Sequence, residues 1–114
     1  MVTEPGETYF TTLTVVNWID LFTRREYKDF LIDNLEWCRS NKQMEIFSYV
    51  IMTNHLHLVA RTMEEPLNKV LGHFKTYTSK NLVNMIEENP QESRRSWLRN
   101  AFGYFGKQNI SNKT

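Results

Sequence analysis

Residues 44–61 read MEIFSYVIMTNHLHLVAR, and this stretch decides the fold expected for the whole chain. It contains two runs of β-branched and aromatic residues, which favour strands, separated by a polar Thr-Asn break. So short a break predicts a β-hairpin. In the second run, His55 and His57 are separated by one leucine, and residues i and i+2 of a strand point to the same side. The sequence therefore predicts two adjacent imidazoles on one face of a sheet.

Upstream of the hairpin, the sequence predicts a strand and a helix. Residues 8–16, TYFTTLTVV, contain threonine, valine and aromatic residues without Gly or Pro, which is typical of a strand. Thr23 and Glu26 have the spacing of a capping box, which predicts that a helix begins there. Apolar residues at spacings of three and four form one face of this helix: Tyr27, Phe30, Leu31, Leu35 and Cys38.

Downstream of the hairpin, two more helices are predicted. Pro66 suits the first turn of one helix, and Asn89, Pro90 and Glu92 suit the start of the next as cap, first-turn proline and capping-box partner. The apolar face of the second helix comprises Leu67, Val70, Leu71, Phe74, Thr78, Leu82 and Met85. The apolar face of the third comprises Trp97, Leu98, Ala101, Phe102 and Phe105.

The element order β-α-β-β-α-α predicts an α+β fold. We expect a ferredoxin-like or RRM-like antiparallel sheet with helices on one face, formed by residues 1–114 as a single domain. The hydrophobic fraction of 40% and aromatic fraction of 13% exclude a disordered chain. Cys38 is the only cysteine, and there is neither a signal peptide nor an apolar run of about 18 residues. These features favour a soluble, cytoplasmic protein without a membrane partner.

Charge is unevenly distributed along the chain. Residues 1–65 contain 6 Lys/Arg and 10 Asp/Glu, whereas residues 66–114 contain 8 Lys/Arg and 3 Asp/Glu. This asymmetry permits a polyanionic partner, although a solvated surface of uneven charge has the same composition. The candidate contacts to backbone phosphates are Lys69, Lys75, Lys80, Arg94 and Arg95.

The two strand histidines are candidate metal ligands. Adjacent imidazoles can bind one divalent cation, and a structural zinc site would usually need four ligands. Two protein ligands leave positions for water or substrate oxygens, which favours a catalytic Mg²⁺ or Mn²⁺ with a third ligand from elsewhere. The alternative is a pair of half-buried strand histidines with satisfied hydrogen bonds. His73, in the second helix, is more typical of a surface residue.

The segment YVIMTNHLHLVAR, residues 49–61, resembles the hallmark segment of the HUH single-strand DNA endonucleases, where U is a hydrophobic residue. It is most similar to the insertion-sequence tyrosine transposases, and among them to the REP-associated ones. Residues 6–23 resemble the first strand of that family and the segment that leaves this strand. Residues 71–82 resemble the helix that follows the hallmark segment. The similarity extends over residues 6–100.

This resemblance implies a reaction and its partners. A divalent metal, Mg²⁺ or Mn²⁺, held by His55 and His57 would polarise one phosphate of single-stranded or hairpin DNA, and a tyrosine would attack the phosphorus. A 5′-phosphotyrosine bond would form, a 3′-hydroxyl would be released, and rejoining would reverse the chemistry. The family implies a bacterial, cytoplasmic protein, and its members include both monomers and dimers, so a homodimer is allowed.

The nucleophile is where this sequence departs from the family. The Tyr-Ile-His-x-Asn-Pro-Val segment of REP-associated relatives is absent. Tyr104 is a candidate because Gln108 follows one helical turn later, although Gly103 and Gly106 disfavour a helix there. Otherwise the nucleophile lies beyond Thr114 and the domain lacks its C-terminal portion. A degenerate copy, acting as a nucleic-acid-binding module without cleavage, and a protein-interaction domain with structural histidines are the remaining alternatives.

Overall fold

The structure of the chain, a computed structural model, describes residues 2–15, 20–94 and 96–98. The chain divides into two compact units, Met1–Thr78 and Ser79–Thr114. The helices and strands are β1 (Tyr9–Thr14), α1 (Arg25–Asn41), β2 (Met44–Ile51), β3 (His55–Thr62) and α2 (Leu67–Glu88). This order and the antiparallel sheet confirm the predicted α+β class as far as α2.

The three strands form one sheet in the order β1-β3-β2, so the histidine-bearing strand is central. Both pairings are antiparallel, and Leu58 of β3 lies between Thr11 of β1 and Tyr49 of β2. The pairing of β2 with β3 shifts register between Ile46 and Ser48, where β2 carries an irregularity. The predicted hairpin is confirmed, with the turn at residues 52–54.

β3 alternates between buried and half-buried side chains along its length. Leu56, Leu58 and Ala60 are fully buried, whereas His55 and His57 are only half-buried. Because successive side chains of a strand point to opposite faces, the sheet has a covered face and an open face. Helix α1 packs against β2, the strand next to β3. The side chains that α1 buries are Tyr27, Leu31, Leu35 and Cys38.

α2 begins directly after Pro66, as predicted. The carbonyl of Pro66 accepts hydrogen bonds from the amides of Lys69 and Val70 at 3.0 and 3.2 Å. Thr3 adds a cap from the N-terminal segment, since its Oγ1 accepts the amide of Asn68 at 3.1 Å. In the first unit, α2 buries Leu67, Val70, Leu71, Phe74 and Thr78, all at predicted positions. Among the described residues, neither α1 nor α2 combines the length and apolar character needed to cross a bilayer.

Two helix details differ from the prediction. α1 has Arg24 as its N-cap, in an extended conformation and without a side-chain cap bond, so Thr23 and Glu26 do not form a capping box. In the second unit, Ile86 is buried and Met85 is only half-buried. Both residues follow the buried Leu82 at helical spacing, and sequence periodicity could not distinguish them.

The start of the predicted third helix also differs. Asn89 accepts the amide of Gln91 in a turn, and the Glu92 carboxylate accepts the amide of Arg94 at 3.2 Å. The chain is therefore in a turn where the prediction began the helix, and helical structure is present at residues 96–98. Trp97, predicted as core, is 57% exposed, so that prediction is wrong. Leu98 is buried as predicted. Ala101, Phe102 and Phe105 lie outside the described residues.

Candidate functional site

His55 and His57 project side by side from the open face of β3. Their ring centroids are 4.6 Å apart and their planes meet at 84°, an edge-to-face arrangement. Both side chains are half-buried. The structure thus brings the two predicted ligands together at a surface that solvent reaches.

Each imidazole has a polar partner at Nδ1. Thr12 Oγ1 lies 3.0 Å from Nδ1 of His57, and Asn54 Oδ1 lies 2.5 Å from Nδ1 of His55. An amide oxygen only accepts hydrogen bonds, so this contact favours the tautomer of His55 that has its proton on Nδ1. In the neutral imidazole, this proton leaves the lone pair on Nε2, which is the atom able to coordinate a cation.

The turn that carries Asn54 is attached to the segment after β1. The amide of Val15 donates to the Asn54 carbonyl, and the amide of Phe22 donates to the Thr53 carbonyl, both at 2.8 Å. Thr53 Oγ1 also donates to Asp20 Oδ1 at 2.8 Å. These bonds hold in place the residue that orients the first histidine.

The described residues bring together two candidate metal ligands and not three. Nowhere in the described ranges do three His, Cys, Asp or Glu side chains converge as a metal site. His73 lies exposed on α2, as expected of a surface residue. Two adjacent imidazoles with engaged Nδ1 atoms fit a cation that takes its remaining ligands from water, phosphate or another part of the chain.

The open face continues from the histidines as an aromatic and apolar surface. Phe10 of β1 stacks on His57, with centroids 5.5 Å apart and planes at 21°. Farther along the face, the guanidinium of Arg61 lies 5.5 Å from the centre of the Phe47 ring. Arg61 also forms an ion pair with Glu45, at 2.7 Å. The face therefore combines imidazole and cationic groups of β3 with aromatic groups of β1 and β2.

The predicted phosphate contacts differ in their surroundings. Lys69 and Lys75 are exposed on α2 in the first unit, and Lys80 is exposed in the second. Arg94 pairs with the buried Glu92, with Nε 3.0 Å from Oε1. The glutamate offsets the charge of Arg94, so this residue is a weaker candidate than the three lysines.

The candidate nucleophile Tyr104 lies outside the described residues, as does Arg95. Tyr27, on α1, is fully buried. Tyr77, on α2, stacks on Phe30 with ring centroids 6.4 Å apart and is 57% exposed. The identity of the nucleophile therefore stays a prediction.

Sequence reasoning did not find the partners of the histidines. Asn54 directly precedes His55 in the sequence, but the sequence alone did not indicate that its side chain bonds to the histidine ring. Thr12 lies 45 residues before His57, and only the register of β1 on β3 brings the two together.

Comparison with known proteins gives one family. The family model described as "Transposase IS200 like" matches residues 11–108, which include β3 with both histidines and all of α2. No curated protein and no solved structure matches the chain. The family match extends over well more than half of the sequence and agrees with the resemblance of residues 49–61 to insertion-sequence transposases. The chain therefore belongs to the IS200-like transposase family.

Proposed function

We propose that this transposase binds single-stranded or hairpin DNA and cleaves and rejoins it by metal-assisted attack of a tyrosine. The observation that carries the proposal is the edge-to-face pair of His55 and His57 on the open face, with both Nδ1 atoms engaged. Such a pair suits coordination of one cation through two Nε2 atoms, and its exposure leaves room for a phosphodiester.

The residues of the open face have separate roles in this proposal. His55 and His57 would hold Mg²⁺ or Mn²⁺, which would supply Lewis-acid polarisation of the phosphate. Asn54 favours the required tautomer of His55, and Thr12 orients the ring of His57 through Nδ1. The half-buried position of both rings allows the DNA strand to approach from solvent.

Covalent chemistry in this proposal belongs to a tyrosine. Its phenolic oxygen loses a proton and bonds to phosphorus, while the bond from phosphorus to the 3′-oxygen breaks and that oxygen takes up a proton. The 5′-phosphotyrosine conserves the energy of the phosphodiester, so attack by a 3′-hydroxyl rejoins DNA without another reactant. Tyr104 is the candidate in this sequence.

Exposed lysines would hold the DNA backbone. Lys69, Lys75 and Lys80 place positive charge on α2, and contacts from lysine to phosphate position DNA without reading its sequence. Arg94 would contribute less because of its ion pair with Glu92. Arg95 completes the proposed set.

An assay for a covalent adduct tests the proposal. The full chain is incubated with Mn²⁺ and an end-labelled hairpin DNA that has a single-stranded flank, and the products are separated on a denaturing gel. We expect a protein–DNA adduct that the double variant His55→Ala, His57→Ala and the variant Tyr104→Phe do not form. His73→Ala is the matched control, because it removes an exposed histidine away from the pair. An adduct that survives loss of both histidines would contradict the proposal.

A second candidate is a catalytically inactive nucleic-acid-binding module of the same fold. It is favoured by the described residues, which contain two metal ligands and no converging third. The same assay separates the candidates, since binding of the hairpin in a native gel without any adduct supports the module.

A homodimer is also part of the proposal. β2 is at an edge of the described sheet, and an exposed edge can pair with a second chain. Light scattering of the purified chain at several concentrations, with and without the hairpin DNA, gives the oligomeric state directly.

A further inference from the structure

Phe10 is a large aromatic side chain whose position core packing does not explain. It lies on β1 opposite Val59 and is 66% exposed. Its ring stacks on His57, which places it at the border of the candidate metal site. Val50 of β2, which lies on the other side of His57, is 56% exposed, and adjoining exposed apolar side chains of this kind favour contact with a ligand or partner.

We infer that Phe10 is a stacking platform for a base of single-stranded DNA, next to the phosphate that the histidine pair would hold. The inference rests on the proposed function and adds a base-binding position to it. Every base has a π-face, so an exposed aromatic ring binds single strands with little dependence on sequence. Because Phe10 and His57 are in contact, a base on Phe10 would fix the distance between its own phosphate and the cation.

The surroundings of Phe10 suit a nucleotide chain. Along β3, His57, Val59 and Arg61 follow one another on the open face at steps of about 6.8 Å. The face therefore passes from imidazole to an apolar surface beside Phe10 and then to Arg61, whose guanidinium is paired with Glu45. A base on the apolar surface beside Phe10 would thus have its own phosphate at the histidine pair, and Arg61 would be a weaker contact for the next phosphate because of its ion pair.

A protein partner would need a different surface. A stable protein interface has an apolar core depleted of polar groups, whereas Thr12, Thr14 and the two histidines interrupt the apolar residues here. Aromatic rings on a polar surface, histidine among them, are instead typical where bases of single-stranded nucleic acid stack. The observations therefore favour a base over a second copy of the chain as the occupant.

Fluorescence anisotropy with a labelled oligothymidine tests the inference. The titration is done in EDTA, so that neither metal binding nor cleavage contributes. We expect Phe10→Val to weaken binding about tenfold, because one stacking surface is lost and a residue suited to strands remains. Phe10→Tyr keeps the ring and should bind like the parent. Trp37→Leu, which removes an aromatic residue of similar exposure from α1, is the matched control.

The outcomes separate the inference from the proposed function. Equal oligothymidine affinity of Phe10→Val and the parent, or no binding by the parent, would overturn the platform. The proposed function fails separately, when the parent neither binds the hairpin DNA nor forms an adduct with it in Mn²⁺. A second measurement needs no variant: photo-cross-linking of the parent to an oligothymidine that contains 5-iodouracil. Mass spectrometry should locate the cross-link at Phe10, and cross-links only at other residues would overturn the platform.

Discussion

The hydroxyl of Thr12 lies 3.0 Å from Nδ1 of His57 across the paired strands β1 and β3. Partners of this kind orient a metal-binding ring, and their loss typically weakens metal binding about 10- to 100-fold. We expect Thr12→Val to lower Mn²⁺ affinity about tenfold, because the ring loses its partner while the shape of the side chain is kept. Electron paramagnetic resonance of free Mn²⁺ during a titration measures the change.

The neighbouring threonine provides the control for this variant. Thr14 is exposed on the same strand and lies opposite His55, and Thr14→Val changes the same chemical group. It should leave Mn²⁺ affinity near that of the parent. Equal losses in the two variants would show that the bond from Thr12 to the ring has no specific role.

Adjacent residues of β3 should differ sharply in their contribution to stability. Leu58 is 0% exposed on the covered face, and Val59 is half-buried on the open face. Leu58→Ala removes buried methyl groups and leaves a cavity, so the free energy of unfolding should fall by about 2–5 kcal/mol. Val59→Ala should cost much less. Urea unfolding followed by circular dichroism gives both values, and similar losses would contradict the assignment of the two faces.

The spacing of residues along the chain predicted those parts of the site that lie within one continuous segment. The hairpin and the juxtaposition of His55 and His57 follow from strand periodicity within 18 consecutive residues, 44–61. The contact of Thr12 with His57 joins residues 45 apart, so it depends on the register between two strands. Register is set by the packing of the whole sheet, which one sequence does not reveal.

The wrong predictions of buried positions at Trp97 and Met85 follow from not knowing which side of each helix faces the core. The buried positions of a helix depend on where it begins and on what covers it, and neighbouring residues differ in direction by about 100°. The turn at residues 89–94 delays the helix, and Leu98 is buried while Trp97 is exposed. Apolar periodicity predicted that helices exist and could not choose between adjacent apolar residues.

The N-terminal segment should stabilise α2 through one residue. Thr3 is buried, and its Oγ1 donates to Asn68 Oδ1 at 2.7 Å and accepts the Asn68 amide at 3.1 Å. Thr3→Val removes both bonds from the first turn of α2, so the free energy of unfolding should fall by about 1–2 kcal/mol. Thr8→Val, at an exposed position, is the control in the same urea titration. A change below about 0.5 kcal/mol would show that the cap contributes little.

Cys38 should react slowly with thiol reagents in the folded protein. Burial raises the pKa of its thiol, and the positive charge of Lys42 lowers it by a smaller amount. At pH 8 the folded chain therefore has less reactive thiolate than an unfolded one, and packing also blocks the reagent. Reaction with Ellman's reagent should accelerate strongly when urea unfolds the chain. A native rate equal to the rate in urea would contradict the buried position on α1.

The exposed lysines of α2 should determine how DNA affinity depends on salt. A lysine that contacts a phosphate releases about one counterion, so its loss lowers the slope of log affinity against log salt by about one. We expect this change for Lys69→Gln, Lys75→Gln and Lys80→Gln with the hairpin DNA. Lys28→Gln on α1 controls for the general loss of a charge.

Anisotropy titrations between 50 and about 200 mM salt measure these slopes, a range in which phosphate contacts weaken markedly. A variant that lowers affinity at every salt concentration without altering the slope would show that its lysine acts through folding and not through phosphate. If the three variants and Lys28→Gln change the slope equally, the contacts are spread over the surface. The basic residues of α2 would then attract DNA without positioning it at the histidine pair.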